Sequence, residues 1–457
     1  MRRLWYVVDN VRHRAMWREL RQMESHQAAS WLEIGVPKLA KLVEWSQLHV
    51  PAYRLLGPSS SSGKSLDVLA LLDTLPIVTP QDLTNNPDSY TSDTLPRSAH
   101  WNHTAGSTGI PLRVLQDSRY DATGMAGKYL FYGRTGWLPT DRILKIWGSY
   151  SEAMGEHPSV KRRLSSWLYD MPQLDAFALR AGDAARYVEA IEHLQPVVLE
   201  SYVDAAESLA EFINMSNGRL KHTPRGVVVS AGTLLPEWRK DIERAFGCPV
   251  YNRYGCREAG DIACSRGAGP LYVNPFTHIV EVVDAAGRRV AHGTGRILVT
   301  VLNNLSMPLI RYDISDYATI DGPESLYPVD GWQRLESVDG RYVSMLRGPN
   351  GSCFSPVLFL AVIGVYKNKG FISQYQVVQR GLEKYTIRLK LRSGHSPEET
   401  MIRLSLDDQR RDLMRMLGST VKIDFEFVDQ VEALPSGKVP VCIVRFDEIA
   451  NHARCHE

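Results

Sequence analysis

The chain has 457 residues, 44% apolar and 23% charged, a globular composition too long for one core of ordinary size, so two or three domains are expected. Lys and Arg (53) nearly cancel Asp and Glu (51), leaving a formal charge of +2, which excludes the basic track that nucleic acid requires. No apolar run approaches the ~20 residues of a membrane span. Six cysteines, unevenly spread, and a segment Met1 to Leu20 without a continuous apolar stretch predict a reduced, cytoplasmic protein with neither signal peptide nor disulfide framework.

The first fifty residues read mainly as helix, with Leu39, Leu42 and Val43 at helical spacing. Gly57 to Ser65 (GPSSSSGKS) imitates a phosphate-binding P-loop, but its glycines are too far apart and no buried strand precedes it, so it reads as a linker. Farther along, Pro196 to Tyr202 and Gly226 to Ser230 read as buried strands and Val203 to Asn214 as a helix. Pro236 to Phe246 is a second helix, opened by Pro236 and closed by Gly247, with Trp238, Ile242, Ala245 and Phe246 on one face; Pro249 to Tyr251 is a third strand. Continuously apolar strands alternating with such helices predict an α/β fold, its mostly parallel sheets covered by helices. Ligands on such sheets gather at the C-terminal strand ends, here after Val229 and Tyr251. From about Gly340 the texture changes. Strands at Tyr375 to Arg380, Tyr385 to Leu391, Thr420 to Val428 and Val439 to Phe446 surround one helix, Pro397 to Leu417. The expected organisation is a large domain, 1–339, and a small α+β domain, 340–457.

The strongest local signal is Thr104-Ala105-Gly106-Ser107-Thr108-Gly109-Ile110-Pro111, followed by Val114 and Leu115 as a strand. Such a loop can turn several backbone N–H groups and three hydroxyls toward one anion, or can be a polar hairpin turn. Further elements follow in order: Ser230-Ala231-Gly232-Thr233, Tyr254-Gly255-Cys256-Arg257-Glu258, Arg311-Tyr312-Asp313-Ile314-Ser315-Asp316, Gly340-Arg341 and Leu434-Pro435-Ser436-Gly437-Lys438. Together they resemble, in the same order, motifs of the adenylate-forming superfamily, and most of all its phenylacetate–CoA ligase branch with the capsule-biosynthesis-type relatives. The segment Val50-Pro51-Ala52-Tyr53-Arg54 resembles that branch as well, and the likeness runs from about residue 40 to residue 446.

That resemblance implies an AMP-forming ligase which joins a carboxylate to the α-phosphate of ATP, releases pyrophosphate and passes the acyl group on. Thr104, Gly106, Ser107, Thr108 and Gly109 would hold the phosphates. Ser230, Ala231 and Gly232 would form the turn beside adenine, Ala231 also facing the substrate. Tyr254 would pack on adenine and Asp316 would accept the ribose hydroxyls. Glu258 would hold Mg²⁺ against the phosphates. Lys438 would bridge the carboxylate and the α-phosphate, then leave the site as the small domain turns about Arg341, itself an expected ATP contact. Taken singly, Glu258 is as readily a solvated loop charge, and Asp316 or Lys438 a turn residue. Arg257 is open between phosphate, acceptor and a neighbouring acid.

Three positions depart from the family pattern. Leu112, with Arg113 next, stands where a phosphate-loop lysine is common; Ser315 replaces a glycine; and Tyr342, Val343 and Ser344 follow Arg341 where an Asp is common. Cys256, Cys264 and His278 lie in one stretch but lack a Cys-x-x-Cys pair, and buried free thiols explain them more simply than a metal. Trp147, Tyr150 and Met154 follow the strand Ile143 to Ile146 and line either an acyl pocket or the core. The resemblance favours CoA as the acyl acceptor, giving a thioester; an amine, giving an amide, and a carrier-protein thiol stay open. A silent nucleotide- or partner-binding homologue is the rival from another class, set against by the presence of Glu258 and Lys438. The expected partners are small molecules, not nucleic acid or membrane, with room for a homodimer.

Overall fold

The computed structural model describes residues 13–54, 72–103, 112–147, 171–174, 176, 184–216, 220–326, 328, 331–341, 346–347, 353–354, 363, 371–392, 394–432, 440 and 442–445. The described chain forms two compact units, Met1–Ala231 with Ile242–Val338, and Gly232–Asp241 with Asp339–Glu457. No helix among the described residues is long and apolar enough to cross a membrane.

The large unit opens with α1 (Arg14–Ser25) and α2 (Trp31–His49). A Ser30–Glu33 capping box starts α2, and Leu39, Leu42 and Val43 are buried as their spacing predicts. A short hairpin, β1 (His100–His103) and β2 (Arg113–Gln116), precedes α3 (Ser118–Gly133). Asp117 caps α3, accepting from the Arg119 and Tyr120 amides at 2.9 Å each. Next come β3 (Ile143–Ile146), β4 (Gln173–Leu174), α4 (Ala184–Leu194), β5 (Val198–Tyr202), α5 (Val203–Met215), β6 (Gly226–Ser230), α6 (Pro236–Phe246) and β7 (Val250–Cys256). Strands β4, β3, β5, β6 and β7 are parallel neighbours in that order. The expected helix face of α6 is buried at Ile242, Ala245 and Phe246, with Trp238 half-buried.

The third predicted strand runs five residues beyond Tyr251, because β7 turns back on β8 (Gly260–Ser265) and gains an antiparallel partner. With β9 (Leu271–Val273) and β13 (Arg334–Leu335) this makes an eight-stranded sheet, half of it extended by antiparallel pairs. A second sheet, β10 (His278–Val283), β11 (Gly293–Val301), β12 (Tyr312–Ile320) and β14 (Ser337–Arg341), pairs antiparallel from β10 to β12. The mostly parallel expectation therefore holds for the central strands and not for this sheet.

Two apolar clusters flank β7 and β8. One packs α1 and α3 on Ile143, Val198, Val228, Tyr251 and Cys264. The other gathers α2, β10–β12 and Ile262 and Ala263 of β8. Each fully buried large side chain there contributes about 1.5–3 kcal/mol.

In the second unit a hairpin of β15 (Leu346–Arg347) and β16 (Cys353–Phe354) precedes a four-stranded sheet. That sheet comprises β17 (Ile372–Gly381), β18 (Lys384–Leu391), β19 (Lys422–Phe427) and β20 (Cys442–Val444), with α7 (Thr400–Leu417) linking β18 to β19. Phe371, Val377, Tyr385, Ile387, Ile402 and Leu413 form its core. This is the α+β texture that the alternation from Tyr375 onward predicts.

Candidate active site

The end of β7 and the turn into β8 carry Tyr254 through Glu258, and their geometry depends on one glycine. A Cβ on Gly255 would lie 2.3 Å from the Gly260 carbonyl oxygen and 2.9 Å from the Asp261 Cα. Any other residue would push the strands apart at the bulge between Tyr254 and Gly255. Tyr254 is thereby aimed at β12, where its hydroxyl donates to Asp316 Oδ2 at 2.7 Å. One hydrogen bond thus ties the two large sheets together through two of the sequence-predicted residues.

Asp316 reaches that position through a register shift: Arg296 faces Tyr317 while Leu298 faces Asp313, so Ile314, Ser315 and Asp316 bulge out of the ladder. Ser315 sits at φ +60°, the left-handed region a glycine would occupy without strain. Its amide donates to Asp313 Oδ1 at 2.8 Å, and Arg296 holds the other oxygen of Asp313 at 2.7 Å. The serine keeps the glycine's backbone shape, and local hydrogen bonds offset the roughly 1–2 kcal/mol cost of that conformation. Arg311, three residues before the bulge, is structural: it donates to Glu281, the Leu75 carbonyl and the Gly287 carbonyl.

Glu258 is half-buried and Arg257 exposed on the turn. The Cys256 thiol donates to Glu258, and burial together with that carboxylate pushes the thiol's pKa well up, so it stays protonated. Gln116, at the end of β2, donates through Nε2 to the Arg257 carbonyl at 3.3 Å and is itself held by Asn102 of β1 at 3.0 Å. The hairpin flanking residues 104–111 therefore braces the Glu258 turn. Sequence reasoning missed Gln116 and Asn102; in a strand of four residues neither stands out from an ordinary exposed amide. Leu112 is buried, and Arg113 lies over the Trp101 ring at 4.9 Å.

At the end of β6, Ser230 is buried and Ala231 takes φ +62°, a non-glycine residue held in a sparsely populated conformation where a strand ends. Gly232 begins the segment grouped with the second unit. Trp147 is half-buried, its ring 4.2 Å from that of Tyr202. Thr104, Gly106, Ser107, Thr108, Gly109, Tyr150, Met154, Lys438, the 57–65 segment and the Tyr342–Ser344 departure lie outside the described residues. Of Arg341 only the backbone, at the end of β14, is described.

The cysteine and histidine constellation separates. Cys256 packs toward the β10–β12 side of the sheet and Cys264 toward α1 and α3. His278 Nε2 donates to the Ala259 carbonyl and Nδ1 accepts from Thr277, each at 2.8 Å. Among the described residues no three His, Cys, Asp or Glu side chains converge on a metal position. Burial pulls the His278 pKa down to about 4, below the unfolded value of about 6.5. The unfolded chain thus binds a proton that the folded chain refuses. Stability is unaffected above the unfolded value and falls as pH drops from there toward the folded one, by about 3 kcal/mol in all. Denaturant midpoints followed from neutral pH to pH 5 should show this slope, and His278→Gln should flatten it.

No family model matches the sequence. Protein CapK of Staphylococcus aureus is 24% identical over 393 residues, covering 84% of this chain and 82% of that protein. The crystal structure of 2-hydroxyisobutyryl-CoA ligase, in the postadenylation state with R3-HIB-AMP, superposes with a TM-score of 0.68 at 18% identity, over 92% of this chain and 90% of that one. The fold is that of the adenylate-forming ligases. Amide bond synthetase McbA from Marinactinospora thermotolerans shares it too, with a TM-score of 0.55 at 15% identity, over 93% and 98% of the two chains. The adenylate-forming fold accounts for the two units and for the antiparallel sheet that periodicity alone did not reveal.

Proposed function

We propose that this protein activates a carboxylic acid as its acyl-adenylate, with release of pyrophosphate, and transfers the acyl group to a small acceptor. The observation that carries this reading is the convergence of Tyr254, Asp316 and the Glu258 turn, braced from β2. Tyr254, fixed by its hydroxyl, offers its ring to adenine. Asp316 accepts from Tyr254, and a carboxylate with about four acceptor positions can also take ribose hydroxyls. Ser230 and Ala231 close the adenine side.

Mg²⁺ suits the donor set. It takes one or two carboxylates plus phosphate oxygens, and Glu258 is a half-buried carboxylate on a fixed turn beside a neutral thiol. Bound there, the ion would supply Lewis-acid charge against the phosphates. Thr104, Ser107, Thr108 and the glycines at 106 and 109 would direct donors at the departing pyrophosphate.

CoA is the acceptor favoured by likeness to a CoA ligase. The residues after Arg341 and the likeness to an amide bond synthetase favour an amine as the second reading. Carboxylate-dependent exchange of labelled pyrophosphate into ATP, run with an acid panel and no acceptor, tests the first half-reaction. We expect exchange with one class of acid, reduced about 10–100-fold in Glu258→Ala because phosphate oxygens still hold the ion. No exchange with any acid, or full exchange in the variant, would count against the assignment. Adding CoA or amines to the responding mixture then separates the two acceptors.

A further inference from the structure

The strands β3, β5 and β6 end abreast, beside the middle of β7. Their register aligns Ile146, Ser201, Val229 and Asn252, so Trp147, Tyr202, Ser230 and Arg253 form the next row, at the C-terminal rim. The pleat puts Lys145 and Glu200, two residues back, on the same face. α3 covers this face with Lys128 and Tyr132, one turn apart.

These side chains form an ionic cluster. Arg253 Nη2 lies 2.5 Å from Glu200 Oε1, and Lys128 and Lys145 approach Glu200 at 3.3 and 3.4 Å. The Tyr132 hydroxyl donates to Glu200 Oε2 at 2.6 Å. Arg253 Nε faces Asp261 Oδ1 at 3.2 Å, off the line of a hydrogen bond.

A cluster serving the sheet alone would balance its charges and pair its donors. Among the described residues three cations meet two carboxylates here, and Nη1 of Arg253, a side chain only 2% exposed, has no hydrogen-bond partner. Burial lowers the Lys128 pKa, yet its side chain, with those of Lys145 and Asp261, stays 20, 23 and 22% accessible. That combination describes a crevice, not bulk solvent. Its rim is aromatic: the Arg253 guanidinium is 5.7 Å from the Trp147 ring, which rests on Tyr202. Tyr254, the next residue of β7, points to the opposite face and Asp316, so the excess charge does not serve the nucleotide's ribose side.

We propose that this cluster is the distal end of the acyl pocket, and that the acid activated carries a second anionic group, foremost a second carboxylate, received by Arg253 with Lys145 and Lys128. The proposal rests on the adenylation reading and names its substrate class. Trp147 and Tyr202 would enclose the carbons joining the two groups. A neutral acid would leave Nη1 and one positive charge unmatched in a desolvated place, which is how such a site rejects it.

The test is equilibrium binding by calorimetry to the full chain. Succinate, glutarate and the benzene dicarboxylates are each compared with their monoamides, with ATP binding as the check on folding. At least one diacid should bind about tenfold or more tightly than its monoamide, as expected for a charge-assisted pair. Arg253→Met should bring that ratio toward one, and so should Lys145→Met, a less buried change. Equal binding of every diacid and its monoamide, or a ratio unmoved in both variants, would overturn the proposal. Binding is read without turnover. A diacid preference without pyrophosphate exchange would keep the anion-binding role of Arg253 and remove the adenylation reading; exchange confined to monocarboxylic acids would do the reverse.

Discussion

Glu200→Gln is expected to destabilise the large unit by about 3–5 kcal/mol, the usual cost of breaking a buried ion pair from one side. Glu200 is 1% exposed and is the shared partner of Arg253, Lys128, Lys145 and Tyr132. With the charge gone, three cations would face Asp261 alone in a partly desolvated crevice. Burial by itself would push the Glu200 carboxyl up; Arg253, then Lys128 and Lys145, and the Tyr132 hydrogen bond outweigh it and hold the group well below the ordinary carboxylate range. Its folded pKa is therefore lower than its unfolded one. The stability it contributes is complete above the unfolded value of about 4.3 and is lost as pH falls toward the folded value. Denaturant titrations should show a large loss for the variant at neutral pH and a weaker acid dependence below the unfolded value. Adding Arg253→Met to Glu200→Gln should recover part of the loss, since the two residues are coupled. A neutral-pH stability equal to wild type would mean that the cluster is solvated and does not work as a buried network.

The same residues show where sequence reading stops. The segment Pro196 to Tyr202 is legible as a buried strand, and Glu200 in its middle looks like an exception. Lys145 is a similar exception in Ile143 to Ile146, and Arg253 lies just past the predicted end of its strand. Each alone fits a strand edge exposed to water. Only the register that sets Lys145 beside Glu200, and the helix that brings Lys128 over both, turns three exceptions into one network. That information is tertiary and has no period. Local signals did better where local physics decides: Pro236 and Gly247 bound α6, and Gly255 marks a place where only hydrogen fits. The antiparallel sheet of β10–β12 was not legible, because its strands, buried on both faces at β10, lack the alternation that marks a half-exposed pair. The order of six short motifs carried more than any one of them, since Ser315 and Leu112 each depart from pattern while the backbone around Ser315 keeps its shape.

The second large effect concerns Lys438. Lys438→Ala is expected to lower carboxylate-dependent pyrophosphate exchange by about 100–1000-fold, the scale of losing one preorganised charge contact to a transition state. A carboxylate attacking an α-phosphate brings two anions together, and the Leu434-Pro435-Ser436-Gly437-Lys438 loop is the resemblance-based source of the cation that offsets them. Transfer from a preformed acyl-adenylate to CoA or an amine has no such approach of like charges. If the small unit turns about Arg341 between half-reactions, Lys438 is out of the site by then. Single-turnover transfer from supplied adenylate should accordingly fall by less than about tenfold in the variant, because an interaction absent from that transition state contributes nothing to it. Lys438→Arg should restore little of the exchange, since a planar guanidinium does not replace a point charge between two oxyanions. Equal losses in both half-reactions would place the lysine in the site throughout. The two units would then work in one arrangement, which would bear directly on the missing Asp after Arg341.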